Sequence, residues 1–266
     1  VTEPSIDLAY ARTDRGRIHY AQCGEGPPVL LLHQTPRSWD EYRELLPLLG
    51  RHLRAIAMDT PGMGASDPVI GEVSIEAFAE AAFALCDHLD IERPHVMGHH
   101  TGGVIALEMA AARPERVDHL VLSSTPWIDA AARERRQSRP PIDAVDFHPD
   151  GEHLGELWRR RQAFYPEDRS DLLRRFVRDA LAVSDPEAGH EAVGRYQMEE
   201  RAARVIAPTL CIGHDADPFA FPDLEPLAQR LRDVRTAVLA GGMVPLEYRA
   251  DEIGELVVEF LCQGSG

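Results

Sequence analysis

The stretch Val96-Met97-Gly98-His99-His100-Thr101-Gly102-Gly103 decides the fold. An apolar run ends in it, three glycines bracket two histidines and a threonine, and an alanine-rich helical pattern over 104–112 starts at once. The order predicts a strand, a sharp turn and a helix. In a doubly wound sheet such a turn lifts one side chain, here His100, above the carboxyl end of a central strand and aims helix-terminal N–H groups at whatever binds there.

Outward from that turn, strand and helix patterns alternate. Residues 6–10 and 17–22 alternate apolar and polar about the turn Asp14-Arg15-Gly16, which reads as an opening hairpin. Val29-Leu30-Leu31-Leu32 is a continuous apolar run suited to a strand buried on both faces. Ser38 and Ser74 stand where helix caps belong, each ahead of apolar residues at helical spacing. Further strands are expected at 54–58, 95–97, 117–122, 209–212 and 236–239, and a closing helix carries Ile253, Leu256, Val257 and Phe260. Between Trp127 and Arg204 the pattern turns to helices alone, interrupted by Pro140-Pro141. This predicts a mainly parallel sheet of α/β class with helices on both faces, ligands at the carboxyl ends of its strands, and a helical lid inserted after the sixth strand.

The glycine spacing of 98–102 resembles the G-x-S-x-G nucleophile elbow of the α/β-hydrolase superfamily. His33-Gln34-Thr35-Pro36 resembles that family's H-G-x-P segment, Asp59 to Ser66 its D-x-x-G-x-G-x-S loop, and Pro114-Glu115-Arg116-Val117 with Leu120-Val121-Leu122 another familiar passage. The resemblance covers almost the whole chain. It implies an α/β-hydrolase fold with a doubly wound, mainly parallel eight-stranded sheet, residues 1–126 and 205–266 forming the core and 127–204 the helical cap.

Two active-site positions depart from the family pattern. His100 stands where the nucleophilic serine belongs, and Gly242, in Gly241-Gly242-Met243-Val244-Pro245, where the catalytic histidine is expected. The acid position survives in Gly213-His214-Asp215-Ala216-Asp217-Pro218, with Asp217 the first choice and Asp215 the alternative. A serine hydrolase needs a hydroxyl, a base to activate it and a carboxylate to orient the base, and two of the three are missing. What remains is His100 as general acid or base, and an oxyanion hole implied at the backbone N–H groups of Gln34 and Thr101. The backbone of the aspartate lies about 10 Å away across two strand spacings, which leaves two arrangements open, a direct bond to His100 or a connection through a bridging water or substrate. His33, His99, His214, Trp127, Gly242 and Met243 are candidate pocket residues. A hydrogen-bonding role is the plainer reading of His33 and His99, and lid packing that of Trp127.

The expected function is a small-molecule enzyme of lyase, cyclase, decarboxylase or water-mediated hydrolase type. Its rivals are a ligand-binding protein that has lost catalysis, and a zinc hydrolase built on His33, His100, His214 and an aspartate. No local zinc spacing is present, and no organic or metal cofactor is implied. A net charge of −16 argues against nucleic acid and anionic membranes as partners. All 28 basic residues are arginine, which reads as codon bias. The runs near 133–139 and 159–161 are most simply solvated helix faces. The four cysteines form no C-x-x-C and read as free thiols. Glu3 and Asp7 stand where a secretory leader would be basic, so a cytoplasmic location is expected. Oligomeric state is not legible, a homodimer included.

Overall fold

The computed structural model describes residues 4–262. Glu3 and the outermost residues of the expected core range lie outside them. The sheet holds β1 (Asp7–Thr13), β2 (Gly16–Cys23), β3 (Pro28–Leu32), β4 (Arg54–Met58), β5 (His95–His99), β6 (Leu120–Ser123), β7 (Thr209–His214) and β8 (Val234–Leu239). Their spatial order is β1-β2-β4-β3-β5-β6-β7-β8. β1 and β2 pair antiparallel, β2 joins β4 antiparallel, and every pair from β4 through β8 is parallel.

Strict alternation of side chains across the pleat explains the continuous apolar runs. Leu30 and Leu32 of β3 enter the core on one face with Val96, Leu120 and Leu122, while Val29 and Leu31 enter the other with Met97 and Val121. The first face is covered by α2 (Ile75–His88) and α3 (Thr101–Ala112), and the second by α1 (Leu45–Leu49) and α11 (Ala250–Cys262). Ser74 caps α2 by accepting from the N–H of Ala77. Helix α3 is buried on nearly every side, which is why its sequence is alanine and glycine rather than an amphipathic pattern.

Between β6 and β7 run α4 (Ala130–Gln137), α5 (Glu152–Gln162), α6 (Ser170–Ala182), α7 (Ala188–Arg195) and α8 (Met198–Arg201), without a strand among these described residues. α9 (Leu224–Ala228) and α10 (Pro245–Tyr248) complete the set. These helices carry their own small core of Leu157, Tyr165, Leu172, Leu173 and Phe176, which also takes in Met243 and Val244 from the segment after β8. They are seated on the sheet by ion pairs. Arg37, fully buried in the loop after β3, donates to Asp179 of α6 at 3.0 Å and bidentately to Glu247 of α10 at 2.9 and 3.0 Å. Glu108 of α3 accepts from Tyr196 and Arg201. Burying such groups is tolerable only because each charge meets an opposite one.

Several sequence boundaries shift. The expected strand at 95–97 runs on through His99, and that at 209–212 through His214, carrying both imidazoles into the sheet ends. The expected strand at 117–122 begins only at Leu120. Ser38 heads a short 3-10 turn, Trp39–Tyr42, and α1 follows as a separate helix. No helix among the described residues is long and apolar enough to cross a membrane.

Candidate active site

The turn after β5 is forced by close approach. A Cβ on Gly98 would lie 2.1 Å from the Gly102 carbonyl oxygen, one on Gly102 1.9 Å from that of Leu32, and one on Gly103 1.9 Å from Thr125 Oγ1. The backbone therefore turns at its tightest between them, and His100 takes φ 47° and ψ −113°, a strained conformation for a residue with a side chain. Its side chain is 11 % exposed.

His100 Nε2 lies 2.9 Å from Asp217 Oδ2. The approach is an ion-pair contact without the alignment of a full hydrogen bond. Of the two arrangements left open by strand spacing the structure has the direct one: a tight turn after β7, closed by the Asp217 N–H on the His214 carbonyl at 2.9 Å, brings the carboxylate to the elbow. Asp217 Oδ1 accepts the N–H groups of Phe219 at 3.0 Å and Ala220 at 3.2 Å. Burial alone would raise its pKa, but His100, these N–H groups and the Ser124 hydroxyl together hold it well below the usual carboxylate range. Asp215, the alternative acid, is not at the imidazole: it faces out and accepts the Gly241 N–H at 3.0 Å.

The remaining histidines are committed to fixed partners. His33 donates from Nδ1 to the Gln34 carbonyl at 2.8 Å and accepts at Nε2 from the Thr60 N–H at 3.0 Å. His99 donates from Nε2 to the Met243 carbonyl at 3.1 Å, so its Nδ1 accepts from Ser123 Oγ at 3.0 Å. Burial and the neighbouring His100 push its pKa down to about 4. His214 Nδ1 meets Ser124 Oγ at 3.0 Å, its Nε2 has no protein partner, and burial with His99 pushes it down to about 3. With His33 and His99 saturated, the zinc constellation of His33, His100 and His214 does not assemble. The Ser124–His214 pair, invisible to motif reading, places a hydroxyl on an imidazole. Both are buried and the ring is a poor base near neutral pH.

The oxyanion-hole expectation is corrected on one side. The Gln34 N–H donates to Glu41 Oε2 at 2.8 Å, and its side-chain amide donates to Glu41 Oε1 at 2.5 Å. A fully buried carboxylate thus occupies the donor that an oxyanion would need. Burial works to raise its pKa, yet His99, Arg37 and the two Gln34 bonds hold it below the ordinary value. No motif in the sequence marks Glu41 as this partner. The Thr101 N–H stands at the first position of α3, where a helix offers its donor no intrahelical acceptor, and the His100 side chain does not cap the helix.

Trp127 is buried in the core on the α2–α3 face, with its indole N–H on Asp129 at 3.3 Å and Arg230 stacked over the ring, instead of lining a pocket. Met243 packs into the small core around Leu157 and Phe176. Gly242 donates its N–H to Tyr248 Oη at 2.9 Å, and a Cβ there would find its nearest neighbour, the Ala216 carbonyl oxygen, at 3.8 Å. The seat is open where the family places an imidazole. Gly189 of α7 presses against Thr35 and Met63, so α7 packs directly on the loops after β3 and β4.

A family model described as the alpha/beta hydrolase fold matches residues 27–222. Among curated relatives, haloalkane dehalogenase 2 of Mycobacterium tuberculosis is 36 % identical over 137 residues, 49 % of this chain and 48 % of that protein. Bifunctional epoxide hydrolase 2 of Sus scrofa is 34 % identical over 186 residues, 64 % of this chain and 34 % of that protein. The match thus spans about half the length of the dehalogenase and less of the epoxide hydrolase. Among solved structures, a hydrolase from Pseudomonas aeruginosa superposes with a TM-score of 0.80 at 23 % identity, covering 96 % of this chain and 98 % of that one. The enol-lactonase from Burkholderia xenovorans does so with a TM-score of 0.77 at 23 % identity, covering 96 % and 100 %.

Proposed function

Starting from a chain that belongs to the α/β-hydrolase fold family, we propose an enzyme that moves a proton with His100 instead of attacking through a serine. The observation that carries this reading is the 2.9 Å approach of Asp217 Oδ2 to Nε2 of an imidazole standing on the elbow. Asp217 stays ionised and fixes the ring, leaving Nδ1 to take a proton from a substrate carbon or a water and return it to the product. The Thr101 N–H is the donor for negative charge developing on the substrate. Glu41, locked on Gln34, repels a second anion, which favours a small neutral organic substrate. The dehalogenase and epoxide hydrolase among the relatives and the enol-lactonase among the structures support water-mediated attack on a halide, epoxide or lactone as the first chemistry to test. With the ring nearly covered, substrate enters as the lid lifts.

The test is turnover of a panel of small lactones, epoxides, haloalkanes and enolisable ketones by the unaltered chain and by His100→Ala and Asp217→Asn. Loss of general acid-base catalysis lowers the rate by about 10² to 10⁴. Equal rates in His100→Ala, or labelling of a serine by a fluorophosphonate, overturns the proposal. One observation favours a second reading, a binding protein without catalysis: the Gln34 donor is filled by Glu41. That reading requires a panel member to bind in calorimetry and never be converted.

A further inference from the structure

At the opposite end of the sheet from His100, we propose a binding site for one divalent cation of the zinc class, built by His95, Asp118 and His119. His95 opens β5, and Asp118 and His119 directly precede β6. The ladder fixes them against one another: the Val96 N–H donates to the His119 carbonyl at 2.9 Å and the Asp118 N–H to that of Pro94 at 3.0 Å. Asp118 Oδ2 lies 2.8 Å from His119 Nδ1 and 3.2 Å from His95 Nδ1. The three ligand atoms all fall within 4.8 Å of one another. A tetrahedral zinc at its usual bond lengths sets ligand atoms about 3.3 Å apart, so small side-chain rotations complete the set.

Two further observations point to a ligand. The His95 side chain is only 9 % exposed, and its Nδ1 is buried with no hydrogen-bond partner although it faces the carboxylate. An orphaned buried ring nitrogen is a cost that a metal bond removes. The other carboxylate oxygen, Oδ1, is held by Arg93 at 3.0 Å, which presents Oδ2 inward as outer partners do for metal-bound carboxylates. Phe260 meets the His119 ring edge-on at 5.4 Å and limits its rotation. Two imidazoles and one carboxylate suit zinc, cobalt or nickel and not calcium or magnesium, which take oxygen ligands. When the metal binds Nδ1 of His119, the ring changes tautomer: its Nδ1 proton passes to solvent, Nε2 takes one from solvent, and a water completes the coordination. The residues tie the starts of two central strands together, and the site touches nothing in the His100 machinery.

The experiment is a Co²⁺ titration of the full chain, free of any affinity tag and stripped with a chelator, read by visible d–d absorption. One equivalent is expected, displaced by Zn²⁺. Asp118→Asn and His119→Gln abolish the bands, and Arg93→Gln weakens binding about tenfold. His148→Gln, in the exposed cluster His148, Asp150 and Glu152, leaves them unchanged. Absent bands, bands that survive His119→Gln in a chain with unaltered circular dichroism, or bands lost in His148→Gln overturn the proposal. The His119 side chain is 23 % exposed, so its substitution is tolerated by the fold and decides the matter even if Asp118→Asn fails to fold.

Discussion

Lowering the pH from 6.5 to 4.5 should remove about 5 kcal/mol of folding stability through two buried rings alone. His99 and His214 are held neutral in the fold, with pKa values pushed from 6.5 to about 4 and about 3 by burial and by neighbouring imidazoles. Above pH 6.5 both are neutral in the folded and unfolded chains, and no penalty exists. As pH falls through 6.5 the unfolded chain takes up two protons that the native chain refuses, so stability falls with falling pH. Each ring contributes about 1.4 kcal/mol per pH unit until its own native pKa is reached. Full protonation would cost about 3 kcal/mol at His99 and about 5 kcal/mol at His214, against a total stability of roughly 5–15 kcal/mol for a domain. Urea unfolding followed by tryptophan fluorescence at several pH values between 7.5 and 4.5 measures the slope directly. His99→Gln and His214→Gln, which keep a hydrogen-bonding side chain, should each reduce the slope by about half. A stability that changes by less than about 1 kcal/mol across that range, or a slope unaltered in both variants, refutes the reasoning.

The lid latch and the elbow give further expectations. Arg37→Met leaves the buried Glu247 with only the 3.6 Å contact of Arg175, while Asp179 keeps Arg178, and should cost about 3–5 kcal/mol in denaturant unfolding. Gly102→Ala drives a Cβ to 1.9 Å from the Leu32 carbonyl oxygen and should cost about 3 kcal/mol, whereas Gly242→Ala, with 3.8 Å of clearance, should stay within about 0.5 kcal/mol. The open seat at Gly242 also predicts that His100→Ser combined with Gly242→His gains hydrolysis of p-nitrophenyl acetate above either single variant. No gain from the pair would show that the vacant seat does not face the elbow.

The sequence by itself determined the layered core and the place of the elbow, because both rest on local rules. Alternate residues of Val29-Leu30-Leu31-Leu32 must enter opposite faces of a buried strand, and Gly98 is demanded by the Gly102 carbonyl of its own turn, although the atoms that demand Gly102 and Gly103 come from Leu32 and Thr125. Tertiary structure alone decided how the site is wired. Whether Asp215 or Asp217 reaches His100 depends on how the loop after β7 folds back, a matter of two residues that no spacing rule resolves. Glu41 filling the Gln34 donor, Ser124 meeting His214, and Arg37 joining the loop after β3 to α6 and α10 bring together groups from 7 to 210 residues apart. Such pairs form because a buried charge or donor must find whichever partner the packed chain brings within reach, and the identity of that partner exists only once the chain has packed.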